Sequence, residues 1–140
     1  MARENKTRDG ILAQKKSICV ASCPVLEADI LVDGAVYVNL PPRSLIVAVI
    51  ANVVTVSGTA NATIDVLANG AVVANEVPVT VAGAIVGTVI TTAAYLLTGG
   101  ELVVKAGAVT PADGALVGDV IVEYIELDKN TGEYTEFLDS

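Results

Sequence analysis

Asn61-Ala62-Thr63-Ile64-Asp65-Val66-Leu67-Ala68-Asn69-Gly70-Ala71-Val72-Val73-Ala74 decides the class of fold. Ala62, Ile64 and Val66 fall on one side of an extended chain, with Thr63 and Asp65 on the other. That period of two belongs to a half-buried strand. Asn69-Gly70 then supplies two residues that tolerate positive φ, as a type I′ turn requires, and residues 71–74 return as the partner strand. The stretch is a β-hairpin.

The same grammar runs outward in both directions. Glu27–Val32 alternates roughly and meets Asp33-Gly34, after which Ala35–Leu40 resumes with Val36 and Val38 in register, so a second type I′ hairpin is expected there. Pro41-Pro42 ends it. Residues 44–56 are a long strand whose near-continuous apolar character implies burial on both faces, or a central place in a sandwich. Downstream, strands are expected over residues 77–81, 84–92, 93–97 and 101–105. Residues 109–117, with Pro111 and Asp113-Gly114, read as a loop. In residues 117–127, Val120, Val122, Tyr124 and Glu126 point one way, and Ile121, Ile125 and Leu127 the other, with Glu123 an exception on that side; one face is partly wet. No segment repeats apolar residues at helical spacing over three turns, and residues 10–16 allow one short turn at most. About eight short strands with turns every eight to twelve residues indicate a β-sandwich, jelly roll or related Greek key.

Composition agrees. Of 140 residues, 24 are Val, 10 Ile and 12 Thr, so about a third of the chain is β-branched, while aromatics are only 4%. The chain is long enough for one domain with its own core. With no His, the Ser-His and Cys-His dyads, His-ligated zinc and the imidazole proton shuttle are all excluded. The longest uninterrupted apolar run is seven residues, 45–51, against about twenty for a membrane helix, and the charged first residues do not resemble a secretory signal. Cytosolic synthesis is expected. Cys19 and Cys23, four apart, match neither redox nor zinc spacing and read as free thiols.

Net charge is −8, unevenly spread. Residues 1–16 carry +3, from Arg3, Lys6, Arg8, Lys15 and Lys16 against Glu4 and Asp9; the remainder carries −11. Arm and body attract. Without interleaved aromatics, and tied to an acidic body, the arm is a poor nucleic-acid footprint. The carboxylates Asp29, Asp33, Asp65, Glu101, Asp113, Asp119, Glu123, Glu126 and Asp128 show no spacing that specifies a glycosidase pair or a calcium cage. Residues 128–133 only faintly resemble a calcium loop, since Lys129 sits inside, and Thr98-Gly99-Gly100 lacks the Lys and helix of a phosphate loop. Absence of Trp weakens a sugar-stacking platform. No catalytic residue, cofactor or metal ligand is assigned, and a non-enzymatic protein is expected.

Residues 62–70, 98–107 (TGGELVVKAG) and 118–127 (GDVIVEYIEL) together resemble small jelly-roll virion proteins of tailed bacteriophages, a group that includes capsid decoration, or cement, proteins. The likeness covers about residues 44–127 and lies in strand and turn style. It implies an all-β, jelly-roll-like antiparallel sandwich over residues 25–127, an extended basic N-terminal arm over 1–24 and a short acidic tail over 128–140. It also implies a structural subunit, often trimeric, that binds and stabilises the shell of major capsid protein on the capsid surface after assembly in the host cytoplasm. Neither nucleic acid nor membrane is an expected partner. On this reading Arg3, Lys6, Arg8, Lys15 and Lys16 meet acidic shell surface, while an exposed edge near Tyr124, with Tyr134 and Phe137, supplies subunit contacts. The alternative is a head-fibre or tail-fibre attachment module that binds a receptor glycan; a hydrolase would need a carboxylate pair in a cleft.

Overall fold

A computed structural model describes residues 18–32 and 35–127. In chain order the elements are β1 (Cys19–Leu26), α1 (Glu27–Val32), β2 (Ala35–Leu40), β3 (Ser44–Thr55), β4 (Thr63–Ala68), β5 (Ala71–Pro78), β6 (Gly83–Gly87), β7 (Tyr95–Leu96), β8 (Gly100–Ala106) and β9 (Val117–Glu126). They form two antiparallel sheets. One has the order β1-β9-β3-β6, with β7 continuing the β6 edge beside β3; the other has the order β2-β8-β4-β5. The pairings nest, with β1 on β9, β2 on β8, β3 on β6 and β4 on β5.

The Asn69-Gly70 hairpin forms as its sequence dictates. Asn69 has φ 53° and Gly70 φ 84°, and Ala68 pairs with Ala71 across the turn. Ala62, Ile64 and Val66 are buried together. β5 runs unbroken to Pro78 because a bulge absorbs one extra residue: the polar pair Asn75-Glu76 stands opposite Asp65 alone, and Asp65 Oδ1 accepts the Glu76 N–H at 2.8 Å. Glu76 takes φ 53° to make that bend. Residues 77–81 are therefore not a separate strand.

Three other expectations are corrected. Glu27–Val32 is a helical turn, not the first arm of a hairpin. Its apolar residues suit either period. The carboxylates Glu27 and Asp29 favour a first helical turn, Ile30 turns into the core at 3% exposure, and β9 has no residue left to pair beyond Leu26↔Val117. β2 pairs with β8 instead. Cys19–Leu26, most of which the sequence reading leaves in the arm, is a full strand against β9. Residues 84–97 are also less regular than expected: β6 ends at Gly87, Val89 makes an isolated bridge to Ala74, and a 3-10 turn over Thr91–Ala93 leads into the two residues of β7.

A single apolar core lies between the sheets. Val25, Ile46, Val49, Ala51, Val53, Val120 and Val122 come from one sheet, and Ile64, Val66, Val73, Val77, Leu102 and Val104 from the other. Side chains this short interdigitate closely, which is how a chain nearly without aromatics fills an interior. β3 alternates rather than burying both faces: Ile46, Val49, Ala51 and Val53 face the core, while Val47 and Val54 are exposed.

Candidate functional site

Directly opposed residues of antiparallel strands share a face, so the register maps the outside of the β1-β9-β3-β6 sheet. One row across it is Ser22, Ile121, Ile50 and Val86. The next is Pro24, Asp119, Asn52 and Ala84; on the other side Val20, Glu123 and Ala48 stand in line. At the ends are Leu26 with Val117, and Ile125 with Leu45 and Tyr95. This outer face is built like an inner one. Val20 is 59% exposed, Val54 63% and Val86 70%, with Val47, Val117 and Tyr95 exposed beside them. Its carboxylates, Asp119 and Glu123, are both on β9, and the half formed by β3, β6 and β7 carries no charged side chain.

The opposite outer face is of another kind. There Asn39 stands across from Glu101, and Asp65 across from Lys105, with Glu76 beside them at the bulge. A solvated sandwich alternates apolar-in with polar-out on both sheets. The β2-β8-β4-β5 sheet comes closer to that rule, its charged pairs flanking one apolar row of Val103, Leu67 and Val72. An apolar face left open on a sheet marks a surface meant to be covered, and it is the candidate functional site.

Below this sheet, the 109–116 loop is pinned to two distant segments. Asp113 Oδ2 accepts the Gly58 N–H at 2.5 Å and Oδ1 the Ser57 hydroxyl at 3.3 Å, while the Ala112 N–H donates to Thr59 Oγ1 at 2.9 Å. The Gly58 N–H in particular holds the Asp113 carboxyl below its ordinary value. Glu27, 4% exposed, accepts the Gly114 N–H through Oε2; its Oε1 and the Thr63 hydroxyl are buried without a hydrogen-bond partner. These contacts brace a loop. A small cavity of about 10 Å³, lined by Val25, Val53, Ile64, Val79, Leu116 and Val120 among others, admits a water at most.

Tyr124 lies opposite Cys19 and Ile46, half-buried against the core on an interior strand, and so not at an exposed edge. Arg3, Lys6, Arg8, Lys15, Lys16, Tyr134 and Phe137 lie outside the described residues. Cys19 and Cys23 lie on the core-facing side of β1; burial, reinforced by Asp119 and Asp29, pushes the Cys23 thiol up, which suppresses the reactive thiolate. Among the described residues no group of three or more His, Cys, Asp or Glu is placed to hold a metal, and no helix is long and apolar enough to cross a membrane. The outer face was missed residue by residue. Its signal was the near-continuous apolar run of residues 44–56, whose second face proves mostly apolar and, among the described residues, uncovered.

No protein-family model, no curated protein and no solved structure matches the chain.

Proposed function

We propose that this chain is a structural subunit of a tailed-bacteriophage head, a decoration protein that binds the major capsid protein and strengthens the shell. The observation that carries the reading is the nested strand pairing together with the uncovered apolar face. With β7 set aside, first pairs with last, second with seventh, third with sixth and fourth with fifth, the pairing of a long hairpin rolled into a jelly roll. Virion subunits use this construction because a stiff sandwich presents its faces and loop ends to neighbours without rearranging.

The mechanism is adhesive. A shell under internal pressure fails where subunits separate, so a bridging protein that contacts only intact shell stabilises it by linkage, with many copies adding their effects. The basic residues Arg3, Lys6, Arg8, Lys15 and Lys16 supply attraction to acidic shell surface, and the acidic body keeps the protein off nucleic acid. In co-sedimentation with purified heads, the unaltered protein is expected to pellet with the particles. Lys15→Glu with Lys16→Glu is expected to lower occupancy several-fold while the melting temperature stays unchanged. Equal occupancy removes the arm from the mechanism; binding to host cells with none to heads replaces decoration by receptor attachment.

A further inference from the structure

We propose that the β3-β6 half of the outer apolar face is where two copies of this chain pair, sheet against sheet. The partner this surface fits must bring an uncharged sheet of small branched side chains, because Ile50, Val54, Ala84 and Val86 offer nothing for a charged group to meet, and the hydrogen-bonding side chain that stands among them, Asn52, is best met by a second Asn52. This chain itself carries such a sheet. Its other outer face, with Asp65, Glu101 and Lys105, does not qualify.

Charge fixes the arrangement. Stacked fully in register, two copies would bring Asp119 and Glu123 of one β9 over the same residues of the other, a desolvated like-charge contact. A two-fold axis along β3 avoids this. It lays β3 on β3 and sets each β9 over the partner's edge strand β6, so Asp119 looks toward Ala84 at a wet rim and Glu123 falls just past the end of β6. The overlap is then β3 on β3 over twelve residues and, on each side, β9 on the five residues of β6. At strand spacings of about 4.8 Å and 3.3 Å per residue, it covers roughly 350 Å² per copy, about 700 Å² in the pair. That size places the contact among weak, concentration-dependent ones. Copies held side by side on a surface would pair far more readily than free ones, because tethering raises their effective concentration.

The pairing is measured on the free protein and so does not depend on the head reading. Sedimentation velocity from micromolar to millimolar concentration is expected to show monomers passing to dimers. Val86→Lys and Val54→Lys, at exposed positions, are each expected to weaken the dimer by about tenfold or more, since each would bury a cation against an apolar sheet. Val81→Lys, equally exposed but in the turn before β6, is expected to leave it unchanged. Unaltered circular dichroism keeps misfolding out of the comparison. A protein that stays monomeric throughout, an assembly of three or more copies, or a dimer indifferent to both substitutions overturns the proposal. Failure to pellet with heads while the free dimer forms and responds to Val86→Lys overturns the decoration reading instead.

Discussion

Glu27 and Asp113 show how much of this fold's polar bracing rests on single carboxylates. Glu27→Ala would remove a buried carboxylate and its part-buried, charge-assisted hydrogen bond from the Gly114 N–H, and a loss of about 1–3 kcal/mol is expected in urea unfolding. Glu27→Gln keeps an acceptor and is expected to retain most of that stability. Asp113 acts through ionisation. Its folded value lies below the ordinary 3.8, so the stability it adds is complete above that pH and is lost as pH falls through the depressed folded value. Asp113→Asn is therefore expected to flatten the acid limb of a plot of melting temperature against pH, measured below about pH 4. An acid limb identical to the parent's would show that the Gly58 and Ser57 hydrogen bonds do not depend on the charge. Both acids are plain in the sequence. Their partners are not, because Gly114 is 87 positions from Glu27 and Gly58 is 55 from Asp113.

Turns are the elements most securely written in the chain. At Gly70 a Cβ would meet nothing within 4 Å, so the cost of Gly70→Ala is purely that of holding a side chain at φ 84°. About 1 kcal/mol is expected by thermal or urea unfolding. Gly99→Ala is expected to cost clearly more in the same measurement, since its Cβ would fall 2.5 Å from the Leu40 carbonyl oxygen as well as taking φ 80°. Equal losses at the two sites would mean that the β2–β3 connection yields. Glu27–Val32 shows the limit of local reading. Alternation and helical spacing coincide over six residues, and the outcome was decided by what stands nearby: a β9 already ended at Val117, a pocket for Ile30, and the Leu116 carbonyl accepting the Glu27 N–H at 3.2 Å.

Across the whole molecule, strand order sets which parts open first. β9 is flanked by β1 and β3, whereas β6 is short and has an open edge. Amide exchange is expected to be slowest in β9 and β3 and markedly faster in β6 and β7; rapid exchange in β9 would contradict the order β1-β9-β3-β6. Alternation in residues 61–67 and 117–127, the Asn-Gly turn and the β-branched composition determined on their own that the chain is all-β, antiparallel and sandwich-like, because those properties depend on neighbours a few residues away. Tertiary structure alone decided that Cys19–Leu26 joins the sheet, that Tyr124 turns inward on an interior strand, and that one outer face gathers opposed charges while the β3-β6 half of the other carries none. The reason is physical: a period of two assigns residues to opposite sides of a strand, but only the pairing of strands far apart in sequence determines which sides lie together and whether anything covers them.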